Sequence, residues 1–224
     1  MIVFGSVVTL AIFLFVGWAV STEMFQHRAW RRRVESGDVD IVAALVEEAL
    51  AAWRRARAPK GISPNLWSSV QGAQLISVES DSATLSTSAE AEFRSEAGQR
   101  VQTTSALDAA IAAAAKLVDM MMYDVPNLRL GRVRVDVYST FSSPDGAPVQ
   151  QPILTTTADR SVAEELAWEA MTPAEVLGRF ETTYQRSESG QPVAIVLAPL
   201  EGSLPRPAAE AAAEFARERE KGAH

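Results

Sequence analysis

Chemistry in this chain has to be sought among carboxylates and arginines. Glu90 and Glu92 alternate along an extended run and so share a face, and Asp119 and Asp124 bracket Met120, Met121 and Met122 at the end of a helical pattern. Either pair offers oxygen atoms to a hard cation or to proton transfer. Acids on a wetted strand or at a helix end ordinarily serve solvation, capping and pairing, and no regularly spaced calcium loop surrounds them. The stretch Tyr123-Asp124-Val125-Pro126-Asn127 leads into Arg129, Arg132 and Arg134. Guanidinium groups on one strand can hold an anionic ligand or an acidic partner, whereas cross-strand pairing with Glu90 or Glu92 is the plainer expectation. Met120, Met121 and Met122 are either a soft contact surface or core filling. The candidate partner or ligand contacts are therefore Met120, Met121, Met122, Arg132 and Arg134, with no catalytic residue, metal ligand or cofactor assigned.

Other site chemistries are excluded by composition. The only histidines are His27 and His224, so a histidine triad or zinc site would have to be assembled from chain ends. There is no cysteine, and with it no disulfide, thiolate ligand or thiol nucleophile. The 12 glycines are scattered and form no phosphate-binding loop.

The elements that would position these residues can be read from periodicity. Ser36-Gly37-Asp38 caps a helix whose apolar face is Val42, Leu45, Val46, Ala49, Leu50 and Trp53; Arg54, Arg55 and Arg57 complement its end, and Pro59 and Gly61 stop it. After a loop around Pro64, alternation predicts a strand over 75–79, a turn at Ser80-Asp81-Ser82, a longer strand over 83–93 and another near 99–103. Ser105 and Asp108 start an alanine-rich helix that runs to Pro126. Ser143-Pro144-Asp145-Gly146 turns the alternating run 130–141 into 149–157, which marks an antiparallel hairpin. Two helix starts follow, at Ser161 and at Thr172-Pro173 with Glu175; the second is expected to carry Val176, Leu177, Phe180 and Tyr184 on one stripe. Residues 193–197 could add a strand, and 207–221 favour a solvated helix. Paired strands separated by single helices predict an α+β fold, an antiparallel sheet covered by helices on one face.

The remaining expectations rest on the N-terminus. Ile2 to Val20 is apolar and uncharged, and as a helix would rise about 28 Å, the thickness of a bilayer core. Four arginines (Arg28, Arg31, Arg32 and Arg33) stand against Glu23 over residues 21–34, a local charge of +3 that leaves −10 for the rest of a chain of net charge −7. With Trp18, Phe25 and Trp30 they have the character of an interfacial collar, while the acidic remainder disfavours nucleic acid. The expected organisation is a transmembrane helix over 1–21, a basic juxtamembrane segment over 22–37, a cytoplasmic α+β domain over 38–200 and a polar tail over 201–224. The corresponding function is a single-pass, non-catalytic accessory subunit of the bacterial inner membrane, N-terminus outside, partnered by lipids and by an integral membrane complex. No small-molecule substrate belongs to that reading. The alternative is a tethered enzyme or small-ligand sensor, in which at least two of Glu90, Glu92, Asp119, Asp124, Arg132 and Arg134 converge in a concave pocket.

Overall fold

The computed structural model describes residues 38–200 apart from Ala97 and Pro144. Its helices are α1 (Val39–Arg55), α2 (Pro64–Gln71), α3 (Ala106–Tyr123), α4 (Arg160–Ala163) and α5 (Pro173–Leu177), with a 3-10 turn at Trp168–Ala170. Its strands are β1 (Gln74–Val78), β2 (Ser82–Ser88), β3 (Glu92–Glu96), β4 (Gln99–Thr104), β5 (Arg132–Ser142), β6 (Pro148–Asp159), β7 (Glu181–Arg186) and β8 (Pro192–Val193).

The helices begin where short polar side chains can satisfy the first free amides. Asp38 accepts from the Asp40 amide, Ser63 from Leu66, and Ser105 from Asp108. Helix α1 buries Ile41, Val42, Leu45, Val46, Ala49 and Leu50, and α3 buries Leu107, Ala110, Ile111, Ala114, Leu117, Val118 and Met121. These faces pack on one side of a curled six-stranded sheet ordered β1-β2-β5-β6-β7-β8, against Leu85, Val133, Val135, Val137, Leu154 and Ala158. Strands β3 and β4 form a separate two-stranded sheet.

The sheet is mixed, which corrects the antiparallel expectation. Strands β2 and β5 run parallel from Ser82↔Arg132 to Ser88↔Tyr138, because the β3–β4 hairpin and α3 together form a crossover that brings the chain back in its original direction. The amides of Gly131 and Arg132 both donate to the Asp81 carbonyl, at 2.7 and 3.2 Å, and so pin that parallel register. Alternating apolar and polar residues report which face a side chain occupies, not which way a strand runs.

The membrane reading is corrected as well. Among the described residues no helix is long and apolar enough to cross a membrane. The longest apolar helix, α3, carries Asp108, Lys116 and Asp119, and its apolar surface is spent on the sheet. The expected span over 1–21, the collar of Trp18, Phe25, Arg28, Trp30, Arg31, Arg32 and Arg33, and the tail over 201–224 lie outside the described residues. Lipid anchoring, an integral-membrane partner, inner-membrane placement and the accessory-subunit function are set aside with that reading.

Candidate functional site

The face of the sheet turned away from the helices holds the polar half of each alternating strand. Along β5, Val133, Val135 and Val137 are buried, and Arg132, Arg134, Asp136 and Tyr138 point the other way. The β5–β6 register sets Thr157 opposite Arg134, Thr155 opposite Asp136 and Asp159 opposite Arg132. Strand β7 then sets Thr183 beside Thr155 and Glu181 beside Thr157, while Thr84 lies beside Arg134 from β2.

A strap of chain, residues 194–200, crosses part of this face. It is tied down by the Ile195 amide, which donates to the Pro152 carbonyl at 2.9 Å, and by the Ala198 carbonyl, which accepts from Arg134 Nη2 at 3.1 Å. Between strap and sheet lies an open groove of about 360 Å³. Hydroxyls of Ser82, Thr84, Thr155, Thr157 and Thr183 line it, together with Arg132, Arg134, Glu79, Glu181 and the apolar Val196 and Pro199.

Both guanidinium groups are anchored by aspartates. Arg134 Nε donates to Asp136 Oδ1 at 2.9 Å, and Thr155 Oγ1 donates to the same oxygen at 2.6 Å. With side chains 14% and 3% exposed, Arg134 and Asp136 form a buried pair whose geometry is fixed from several directions. Arg132 Nε meets Asp159 Oδ1 at 2.9 Å in a more exposed pair. Glu79 accepts from Ser82 Oγ at 3.1 Å, and neither Glu79 nor Glu181 has a basic partner within ion-pair distance among the described residues. Among the described residues Asp136 and Asp159 already offset the two arginines, so the carboxylates of Glu79 and Glu181 add an excess of negative charge at the groove. Tyr138, next on this face, has its hydroxyl pKa raised, chiefly by burial and further by the Asp136 carboxylate, with Arg134 opposing.

The other sequence candidates are dispersed. Met120, Met121 and Met122 are 4%, 0% and 3% exposed, so they fill the core and offer no surface to a partner. Glu90 accepts from the Thr140 amide and from the Ser139 and Thr140 hydroxyls at the far end of β5. Glu92, beyond the break that ends β2, accepts from Thr104 on the hairpin, so the two acids do not form a site. Asp119 pairs with Lys116 at 2.7 Å, and Asp124 ends α3. Arg132 and Arg134 are thus the two candidates that one concave surface brings together, and their carboxylate partners are Asp159 and Asp136, not Glu90 or Glu92.

Sequence reasoning passed over the threonines and the strap. Thr155-Thr156-Thr157 carried the signal, because alternate residues of such a run fall on one face and the Pro-Asp-Gly hairpin sets β5 opposite them. A bulge between Val137 and Tyr138 shifts the register by one, however, so counting back from the turn places Thr156 opposite Arg134 when Thr157 is there. Among protein-family models, curated proteins and solved structures, no match to this chain is found.

Proposed function

We propose that the domain is a non-catalytic binding module for a small hydroxyl-rich molecule, neutral or bearing an amino group, held in the groove beneath the strap. One observation carries this reading: hydroxyls from β2, β6 and β7 converge with two aspartate-anchored guanidinium groups in a single concavity. Hydroxyl side chains both donate and accept, and the Arg134 guanidinium, fixed by the Asp136 carboxylate, is held at a set position in the groove wall. Such a surface can satisfy the alternating donors and acceptors of a polyol without the side-chain ordering that a floppy site requires. The size fits, since about 360 Å³ lies at the small end of ligand pockets. Charge narrows the class further: with Glu79 and Glu181 at the groove, a free carboxylate or phosphate is repelled and an ammonium is welcomed.

The test is a titration of the full chain with glucose, glucosamine and glucuronate, followed through threonine methyl resonances. Glucosamine should bind at least as tightly as glucose, and glucuronate most weakly. The perturbed methyls should be those of Thr84, Thr155, Thr157 and Thr183. Tightest binding by glucuronate, or perturbations confined to other threonines, would overturn the assignment.

A further inference from the structure

The β3–β4 hairpin stands apart from the body. Every described residue from Phe93 to Thr103 is exposed, and among the described residues β3 and β4 pair only with each other. Isolated two-stranded ribbons are marginal in water, and an uncovered strand edge is a template for another strand. The two edges of this arm are not equivalent. Strand β3 carries Glu92, Arg94 and Glu96, charges of the kind that keep an edge from pairing. Strand β4 reads Gln-Arg-Val-Gln-Thr-Thr, with Arg100 its only charge and no proline, and Arg100 is occupied over the Phe93 ring at 4.1 Å from its centroid.

Register decides how a second copy would fit. Glu96 and Gln99 are partners across a two-residue turn and Arg94 is the partner of Val101, so alternation turns the main-chain amide and carbonyl of Arg100 and Gln102 outward. Two such edges related by a twofold axis can join with Arg100 opposite Gln102 of the second copy, which leaves Val101 directly opposite itself. That arrangement sets an amide beside each guanidinium and buries two valines that are each 42% exposed in the single chain. Centring the axis on Arg100 would oppose two guanidinium groups. A β3–β3 contact centred on Arg94 would oppose arginine to arginine and Glu92 to Glu96.

We propose that the arm is a self-association element through which two copies pair β4 to β4 into one four-stranded antiparallel sheet. The occupant of the edge is a second copy of this chain. A strand-edge contact is small as interfaces go, so the dimer dissociates on dilution.

The cysteine-free chain gives an unambiguous test. In the paired arm, Val101 and its copy form a close, non-hydrogen-bonded pair with Cα atoms about 4.5 Å apart, inside the disulfide range. Arg94 lies on the same face, but its copy is three strand spacings away, about 14 Å, which is too far to bridge. Under mild copper-catalysed air oxidation of the full chain, Val101→Cys should form a covalent dimer at least tenfold faster than Arg94→Cys. Adding Gln102→Pro, which removes one outward amide and leaves the inner ladder alone, should return Val101→Cys to the Arg94→Cys rate. Circular dichroism of the same samples reports whether the fold is retained, and sedimentation of the unmodified chain should show mass rising with concentration. Equal cross-linking rates would overturn the proposal. So would a Val101→Cys chain that stays monomeric with its thiol shielded from a maleimide, since that edge would then be covered from within its own chain.

Discussion

Arg134 joins the sheet to the strap: one side of its guanidinium is held by Asp136, while Nη2 reaches across to the Ala198 carbonyl. A lysine there would offer a single ammonium and could not make both contacts in fixed directions. The Asp136 carboxylate also faces Tyr138, two residues on, and this has a consequence at high pH. Burial and the neighbouring carboxylate both disfavour the phenolate, which raises the Tyr138 pKa above its ordinary value of 10.0. The folded chain therefore holds this proton more tightly than the unfolded chain does. Its contribution is fully present below pH 10 and is lost as pH climbs through the raised value. Stability measured by urea unfolding should fall across that alkaline window, and Tyr138→Phe should flatten the fall. The same substitution should remove a step above pH 10 from the tyrosinate absorbance titration. An unchanged alkaline slope in Tyr138→Phe would show that another group carries it.

Helix α5 owes its five residues to its first turn. Thr172 Oγ1 accepts from the Glu175 amide while Glu175 Oε2 accepts from the Thr172 amide at 2.7 Å, and Pro173 occupies the position where a missing N–H costs nothing. At the other end, the Leu177 carbonyl accepts from Thr182 Oγ1, itself 2.7 Å from Thr156 Oγ1. Thr172→Ala should cost about 1 kcal/mol in urea unfolding. It should also flatten part of the acid limb, because the Thr172 amide and, to a lesser degree, its hydroxyl hold the Glu175 pKa below its ordinary 4.5, and alanine removes only the hydroxyl. That stabilisation is present above pH 4.5 and is lost as pH falls through the lowered value. Caps of this kind were legible from residue types alone, at Asp38, Ser105 and Thr172, and so was the hairpin around Asp145-Gly146. Ser63-Pro64 carries a comparable start signal, yet α2 reads as loop because eight residues give periodicity too little length. Residues 178–186 read as a continuation of helix, since Phe180 and Tyr184 fall at helical spacing, but α5 stops before Gly178 and Glu181–Arg186 pairs with β6 as β7. There the ladder outweighs a stripe of two aromatic rings. The long strand expected over 83–93 breaks near Ala89, whose amide donates to the Tyr138 carbonyl and closes the sheet before the arm begins. The groove was half legible: Arg132 and Arg134 stood out by type, whereas their hydroxyl neighbours depend on a bulge and a strap that local pattern does not encode.

At the scale of the whole molecule the fold divides into a body that stores the stability and an arm that does not. The core runs from Val42 on α1 through Leu85 on β2 to Leu154 on β6 and contains no residue of β3 or β4. The arm nevertheless sits inside the β2–β5 crossover, so it lengthens a connection on which the parallel pairing depends. Closing a longer connection costs only slowly increasing entropy, and deleting exposed residues removes little buried area. Because Glu92 and Thr104 are partners, the two ends of the hairpin already lie side by side, and a pair of glycines can replace residues 93–103 without moving either. The shortened chain should unfold in urea in one transition, with a stability within about 1 kcal/mol of the parent measured at a concentration where both are monomers. Leu85→Ala, on the strand just before the arm and fully buried, should instead cost about 2–5 kcal/mol. If removing the arm were as damaging as opening that cavity, the hairpin would be part of the cooperative core. A near-neutral deletion, by contrast, leaves the arm's uncovered edge without a stabilising duty in the single chain and consistent with a role in association.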